Sequence, residues 1–169
     1  MSYRAARDAP ARPMWGLLGW LLLSFAAGGL GALASADAAA FYAALARPSW
    51  APPAWLFGPV WSVLYVLMAV AAWLVWRREG WAGARVALWL FVAQLVANAL
   101  WTWLFFAWRQ GALALADIAV LVILVVATLI AFARVSRAAA WLMVPYLAWV
   151  SFAAALTYAM VTGNPRLLG

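Results

Sequence analysis

Long apolar runs broken by short polar segments dominate the chain. The runs cover residues 14–34, 59–76, 81–108, 112–133 and 138–161. A helix needs roughly 20 predominantly apolar residues to cross the hydrocarbon core of a bilayer, and these runs have about that length. Apolar and polar residues do not alternate along them, which argues against a β-barrel. The pattern predicts an all-α integral membrane protein, built as a bundle of five transmembrane helices.

Four connections separate the predicted helices, and three of them are very short. These three are the segments 77–80, 109–111 and 134–137. Short connections make consecutive helices antiparallel neighbours in a bundle. The first connection, residues 35–58, is much longer. Since the sequence shows no internal repeat and no second domain, we interpret residues 1–169 as a single domain.

The composition indicates that lipid is the surrounding solvent. Hydrophobic residues make up 71% of the chain and charged residues only 9%, whereas a soluble domain is about half apolar and a quarter charged. The sequence has neither cysteine nor histidine. Disulfides, thiol nucleophiles and Cys/His metal sites are therefore excluded, and no metal site is predicted.

All the positive side-chain charge comes from arginine, and its distribution predicts the orientation in the membrane. Most arginines fall on one side of the predicted bundle: Arg4, Arg7, Arg12, Arg77, Arg78, Arg85, Arg134 and Arg137. Arg47, Arg109 and Arg166 fall on the other side. By the positive-inside rule the N-terminus is cytoplasmic, and the long connection and the C-terminus lie outside a bacterial cell membrane. No basic patch carries interleaved stacking aromatics, so nucleic acid is not a predicted partner.

The first apolar run allows two interpretations. Arginines precede it and residues 32–34 fit an A-x-A cleavage site, as in a signal peptide. However, the run is longer than the roughly 7–15 apolar residues that such a peptide normally has. Gly28, Gly29 and Gly31 within it suit close packing against a neighbouring helix. We therefore favour a retained transmembrane helix.

The long connection leads into a stretch rich in proline and tryptophan, ARPSWAPPAWLFGPVWSVLY, at residues 46–65. Residues 37–46 are predicted to form a short helix that begins at Asp37 and is broken at Pro48. An aromatic belt at the membrane interface accounts for scattered tryptophans, but not for a cluster whose orientation is fixed by proline. Residues 35–58 are therefore predicted to form a stiff, preorganised lid over a ligand cavity.

Few polar residues interrupt the apolar runs. Gln94 and Asn98 lie four residues apart on one helix face, and Trp101 follows on the same face. The two amides either form interhelical hydrogen bonds or line a cavity, and the sequence leaves both alternatives open. Asp117 is the one acid within an apolar run. Since it lies near the predicted start of its helix, a structural role at the membrane interface is favoured.

Four segments resemble the TspO/MBR family of tryptophan-rich sensory proteins and translocator proteins (peripheral benzodiazepine receptors). They are PSWAPPAWLFGPVWSVLYVLM from Pro48, AQLVANALWTWLFF from Ala93, ALADIAVL from Ala114 and PYLAWVSFAAALTY from Pro145. The likeness extends over roughly residues 15–160 in order. It implies a five-helix bundle with a ligand cavity under the first loop.

The resemblance also implies a membrane receptor or sensor for protoporphyrin IX, haem-related tetrapyrroles and other lipophilic ligands, with a role in tetrapyrrole homeostasis or stress response. The implied ligand-binding residues are Arg47, Pro48, Trp50, Phe57, Trp61, Tyr65, Gln94, Asn98, Trp101, Phe105, Tyr146, Trp149, Phe152 and Ala153. Without histidine or cysteine, we expect recognition of the porphyrin ring and no conventional ligation of haem iron. The porphyrin is thus a ligand, and no cofactor is obligatory. The family further implies a homodimer.

Two alternatives to a receptor stay open. The first is a transporter of porphyrin-like or sterol-like ligands, although the chain lacks the repeats and the several buried ionisable groups typical of coupled transporters. Cholesterol is not a predicted ligand, since the residues after Tyr158 do not complete the proposed sterol motif. The second is light-dependent degradation of the porphyrin, with Trp61 and Trp149 as redox partners. No other catalytic group is predicted, and an enzyme is not our first interpretation.

Overall fold

The computed structural model describes residues 14–169, and in this part of the chain all regular structure is helical. Five long helices form a bundle: α1 (Trp15–Ala34), α3 (Phe57–Gly83), α4 (Arg85–Thr102), α5 (Gly111–Val135) and α6 (Arg137–Gly163). Two short helices accompany them, α2 (Ala38–Ala44) and α7 (Pro165–Leu168). The long helices, with the turns that extend two of them, are long and apolar enough to cross a membrane. The predicted all-α fold class is confirmed, and the protein is an integral membrane protein.

Three of the arginines that predict the orientation in the membrane precede this range. Arg4, Arg7 and Arg12 lie outside the described residues. The orientation of the termini therefore stays a prediction.

The second and third long helices differ from their predicted bounds. α3 begins at Phe57, after a single 3₁₀ turn at Ala54–Leu56. Pro59 thus falls in the first turn of α3, where its missing N–H leaves no helical bond unmade. The helical backbone of α3 is interrupted at Gly80, within the predicted connection 77–80, and the φ of 68° there suits glycine. One further turn follows before α4, which therefore begins at Arg85, later than predicted.

α4 ends in a widened π-helical turn, Trp103–Ala107. The indole N–H of Trp103 donates to the carbonyl of Leu30 at 3.0 Å, which ties this turn to α1. Arg109 follows in a left-handed conformation with φ of 54°. Its guanidinium lies 4.8 Å from the ring centroid of Phe41 in α2. The end of α4 therefore anchors both the first helix and the loop helix.

The helix in the long loop is shorter than predicted. α2 ends at Ala44 because Leu45 turns extended, with ψ of 141°. Asp37 occupies the N-cap position, but its side chain makes no capping hydrogen bond. Phe41, Tyr42 and Leu45 are all buried. The loop helix is therefore held by packing of its apolar side against the bundle.

Helix α1 packs against α3 and α4, while α5 packs between α4 and α6. Small residues let α1 approach closely. A Cβ added at Gly16 would overlap the ring of Trp76, and one added at Gly28 would lie 2.5 Å from the ring of Tyr65. This is the close packing that the retained-helix interpretation of the first apolar run requires.

Candidate ligand cavity

A cavity of about 580 Å³ lies between α1, α3, α4 and α6. Residues of α2 and of the turn before α3 also line it, so the long loop forms one of its sides. Its volume falls within the roughly 300–1,000 Å³ of small-molecule sites. Helices that are distant in sequence therefore form the walls of the cavity together with the first loop.

Helix α1 contributes mainly small residues to the cavity, and the other long helices contribute aromatic ones. The small residues are Gly28, Gly29, Gly31 and Ala32. Trp61 stacks on Tyr65 with ring centroids 5.5 Å apart. Phe57 meets Trp149 edge to face at 5.9 Å. Small residues leave the volume open, and aromatic residues supply flat apolar faces.

A chain of hydrogen bonds joins the cavity wall to the interior of the bundle. The Tyr65 hydroxyl donates to Asn98 Oδ1 at 3.0 Å, and Asn98 Nδ2 donates to the Tyr146 hydroxyl at 3.3 Å. That hydroxyl donates to Gln94 Oε1 at 2.7 Å. Both alternatives left open by the sequence therefore occur. Asn98 lines the cavity and also links helices, whereas Gln94 is fully buried and links helices without lining the cavity.

Two indoles of the cavity wall, those of Trp101 and Trp149, have buried N–H groups with no hydrogen-bond acceptor among residues 14–169. Buried donors in native proteins are nearly always paired, so two unpaired donors beside one cavity require an explanation. Within the described chain, the residues that line the cavity carry no formal charge. The wall therefore suits an apolar, aromatic ligand that also carries hydrogen-bond acceptors.

The loop is folded back on itself at the cavity by Tyr42. The Tyr42 hydroxyl donates to the Pro52 carbonyl at 2.7 Å, which joins the helical half of the loop to the extended half. The Tyr42 ring meets Phe57 edge to face at 5.5 Å, and the Arg47 guanidinium lies 5.0 Å from the centroid of the Tyr42 ring. Burial raises the pKa of Tyr42 above its ordinary value, and the charge of Arg47 opposes this. The hydroxyl therefore stays protonated and able to donate at neutral pH.

Alkaline pH should loosen the loop through Tyr42. A free tyrosine ionises near pH 10, and a phenolate cannot donate to Pro52. Because burial raises the pKa of Tyr42, this hydrogen bond is intact below about pH 10 and is lost as the pH rises through the pKa of the folded state. A spin label on Ser49→Cys, unique in a chain without cysteine, should report rising mobility there. In the Tyr42→Phe background the label should be more mobile at neutral pH and lack this alkaline step. An identical step in both backgrounds would rule out Tyr42 as its source.

Half of the predicted ligand-binding residues line the cavity. They are Phe57, Trp61, Tyr65, Asn98, Trp101, Trp149 and Ala153. The two tryptophans considered as redox partners, Trp61 and Trp149, are both among them. Contact of these residues with a ligand stays a prediction.

Of the predicted loop residues, Phe57 lines the cavity, whereas three others lie outside it. Arg47 and Pro48 line a separate groove of about 470 Å³, together with Ser49. Trp50 is half exposed, and its ring packs against that of Phe152 at 5.7 Å. Neither Trp50 nor Phe152, which was also a predicted ligand-binding residue, lines the cavity. The three loop residues lie outside because the chain turns extended after α2, which separates their side chains from the cavity-lining residues of that helix.

Three further predicted residues lie in the interior of the bundle. Gln94 and Tyr146 are fully buried and bonded to each other. Phe105 is buried and stacks on Trp101 with centroids 5.7 Å apart. Helical spacing correctly places such residues near lining residues, but it does not distinguish the side chain that meets the cavity from the one that supports it.

The lining residues of α1 and α2 were not predicted from the sequence. They include Phe25, Gly29, Ala32, Ala38, Ala39 and Tyr42. Glycine in a membrane helix usually indicates close helix packing, and Gly28 does pack in this way. At Gly29, however, an added Cβ would meet nothing within 4 Å. No sequence signal separates two adjacent glycines, one of which packs while the other opens a cavity.

Comparison with known proteins identifies the family. A sequence model of the TspO/MBR family matches residues 20–162, a range that contains every cavity-lining residue. The chain belongs to the TspO/MBR family. It is 42% identical over 129 residues to the tryptophan-rich protein TspO of Chlorobaculum tepidum, covering 74% of this chain and 80% of that protein. It is 38% identical over 157 residues to the translocator protein of Bos taurus, covering 91% and 93%. Protein CrtK of Rhodobacter capsulatus is 36% identical over 143 residues, covering 82% and 86%.

The resemblance drawn from four sequence segments is thereby confirmed. Three of these segments supply at least two lining residues of the cavity each, and the segment around Asp117 supplies none. The segment after Pro48 supplies Trp61 and Tyr65, for example, and the segment after Pro145 supplies Trp149 and Ala153. The protein is thus a TspO/MBR membrane protein, of a family whose members include tryptophan-rich sensory proteins and translocator proteins.

Proposed function

We propose that this TspO/MBR protein is a membrane receptor or sensor that binds protoporphyrin IX or a related flat, lipophilic ligand. The observation that carries the proposal is the cavity itself, which is uncharged within the described chain and is bounded by indole and phenol rings. A flat tetrapyrrole buries a large apolar area and stacks on aromatic faces. A role in tetrapyrrole homeostasis or stress response follows from such binding.

The polar groups of a porphyrin also fit the surroundings of the cavity. The propionates would stay at the loop, where Arg47 supplies a positive charge, since desolvating a carboxylate in an uncharged cavity is unfavourable. Recognition is of the ring, so the porphyrin is a ligand and no cofactor is required.

The cellular setting that we propose follows the arginine distribution and the bacterial relatives. The protein spans a bacterial cell membrane with its N-terminus in the cytoplasm and with the loop and C-terminus outside. Its partners are the bilayer, the lipophilic ligand and a second copy of the chain, and nucleic acid is not among them.

Light-dependent degradation of the bound porphyrin is the second candidate. It is favoured by the position of Trp61, which lines the cavity and stacks on Tyr65. An excited porphyrin would exchange an electron with these rings, and opening of the porphyrin ring would further require dioxygen as the oxidant. Loss of porphyrin absorbance under light, reduced in Trp61→Phe at unchanged dark affinity, would support this activity. A transporter would instead move porphyrin across sealed vesicles in the dark.

A phenylalanine at Ala153 should weaken binding of protoporphyrin IX about tenfold or more, which corresponds to about 1.4 kcal/mol. Ala153 is buried and lines the cavity, so a larger side chain occupies the space of the ligand. Ala155→Phe is the matched control, because Ala155 is exposed on the same helix and does not line the cavity. Quenching of tryptophan fluorescence in the dark, with purified protein in nanodiscs, measures both affinities.

The proposal fails if wild-type protein shows no saturable binding. It also fails if Ala153→Phe and Ala155→Phe bind the porphyrin equally well. In the second case the quenching would report partitioning of porphyrin into lipid beside the tryptophans.

A further inference from the structure

We propose that Asn164 is a latch that holds the loop closed over the cavity and thereby sets how fast a ligand enters and leaves. The effect on ligands rests on the proposed function, whereas the latch is a property of the loop itself. Asn164 directly follows α6, and its side chain is only 8% exposed. It does not line the cavity, and it was not among the residues predicted to bind a ligand.

The side-chain amide of Asn164 makes three hydrogen bonds. Its Oδ1 accepts from the backbone N–H of Ala46 at 2.8 Å. Its Nδ2 donates to the carbonyl of Ala46 at 3.0 Å and to the carbonyl of Met160 at 2.8 Å. Only the bond to Met160 lies in the last turn of α6, where carbonyls lack a helical donor. Two of the three bonds therefore serve the loop and not the end of the helix.

Ala46 lies between the two halves of the loop. α2 ends just before it, where Leu45 turns extended and is buried. This helix carries Tyr42, which lines the cavity. The proline-rich half begins at Pro48 and is joined back to α2 by the hydrogen bond from Tyr42 to Pro52. A clamp on both backbone groups of Ala46 consequently fixes both halves at once.

The contact is suited to opening because it depends on a single side chain. Breaking the two bonds to Ala46 leaves every helical hydrogen bond of α2 and α6 intact. α2 stays attached to the bundle through Phe41, which lies against Arg109 at the end of α4. Segments with few such contacts open locally at much lower free energy than the core. The loop can therefore loosen at Ala46 while the bundle stays folded.

Two variants remove the latch in different ways. Asn164→Ala loses all three hydrogen bonds. Asn164→Asp keeps an acceptor for the N–H of Ala46, but a carboxylate cannot donate to the two carbonyls. Thr162→Ala is the control at the same end of α6. The hydroxyl of Thr162 is exposed and bonds only within the helix, to the carbonyls of Tyr158 and Ala159.

Hydrogen–deuterium exchange of the full chain in nanodiscs tests the latch without any ligand. Peptides covering residues 45–56 should exchange about tenfold faster in both Asn164 variants, because local opening limits exchange in such segments. Peptides of α3 and α6 should keep the wild-type rates, as should the loop in Thr162→Ala. Unchanged loop exchange in both Asn164 variants would overturn the proposal.

Protoporphyrin IX is the probe for passage of a ligand, followed by stopped-flow quenching of tryptophan fluorescence in the dark. In Asn164→Ala both the association and the dissociation rate constants should rise by about tenfold, and their ratio should change much less. A damaged cavity would instead weaken the affinity. If hydrogen–deuterium exchange of the loop is faster but the association and dissociation rate constants of the porphyrin are unchanged, the loop does not control entry and release of the ligand. Faster loop exchange with no probe binding to wild-type protein would overturn the proposed function and leave the latch standing.

A cross-link tests the proposal independently of any lost stability. Since the chain has no cysteine, the A46C/N164C pair introduces its only thiols. Closing the pair with a short thiol-specific linker should slow entry and release of the probe below the wild-type rates. Without the linker the same protein should behave like Asn164→Ala. Equal probe rates with and without the linker would show that ligands pass without movement at Ala46 and would contradict the latch.

Discussion

Gly28→Ala should destabilise the protein by about 2 kcal/mol, since overpacking a filled interior typically costs 1–3 kcal/mol. The added Cβ would lie 2.5 Å from the ring of Tyr65, which is closer than non-bonded carbon atoms approach. That ring is not free to swing away, because it is buried, stacks on Trp61 and donates a hydrogen bond to Asn98. Either α1 moves away from α3 or the bond from Tyr65 to Asn98 breaks.

The neighbouring glycine provides the matched control. Nothing lies within 4 Å of a Cβ added at Gly29, and alanine is favoured over glycine in a helix by about 1 kcal/mol. Gly29→Ala should therefore be neutral or slightly stabilising. Unfolding titrations with SDS in mixed micelles give both free energies of unfolding. Combining Gly28→Ala with Tyr65→Ala should cost less than the sum of the two single changes. Equal free energies of unfolding for Gly28→Ala and Gly29→Ala would contradict the close packing of α1 at Gly28.

Tyr146→Phe should cost about 2 kcal/mol of stability, because each buried group left unpaired costs about 1–3 kcal/mol. The Tyr146 hydroxyl accepts from Asn98 and donates to Gln94. Its removal takes a hydrogen-bond partner from both amides in the interior of the bundle. Single interhelical hydrogen bonds in membrane proteins average only about 0.6 kcal/mol. The expected loss is larger here since one hydroxyl serves two amides.

Two comparisons make this prediction specific. Tyr65→Phe removes only the terminal bond of the chain, next to the cavity, and should cost about 0.6 kcal/mol. Adding Gln94→Leu to Tyr146→Phe should recover part of the loss, because it removes an acceptor that the first change left unpaired. The same SDS titration serves for all variants. A loss in Tyr146→Phe no greater than in Tyr65→Phe would show that the network contributes no more than its separate bonds.

The number and type of the helices could be read from hydropathy alone. In lipid the backbone must satisfy its own hydrogen bonds, so an apolar run of sufficient length has helix as its structure. The interruption at Gly80 falls in the polar segment 77–80, where hydropathy predicted a break. The π-helical turn at Trp103–Ala107, by contrast, lies within continuous apolar sequence and could not be predicted in this way. It forms where the chain contacts another helix, through the bond from Trp103 to Leu30.

The cavity was only half predictable. Helical spacing placed Gln94 and Asn98 on one face, and the structure agrees. Which of them meets the cavity depends on the rotation of α4 against α3 and α6. In the structure this rotation lets Asn98 bond to Tyr65 of α3 and Gln94 bond to Tyr146 of α6. The family motifs predicted the aromatic residues that line the cavity, but they did not predict the small residues of α1 that line its other side.

Local physics therefore accounts for the solvent, the helix count and the stiff, proline-bound loop. Partition into lipid, backbone hydrogen bonding and the fixed geometry of proline involve residues that are close together along the chain. The cavity is instead the space left between helices, and it depends on packing over long sequence distances. Gly28 and Gly29 differ only in what faces them, and Asn164 reaches Ala46 across 118 residues. The sequence around these residues indicates neither the tight packing at Gly28 nor the bonds of Asn164. Both depend on a residue that is distant in sequence and that only the fold brings into contact.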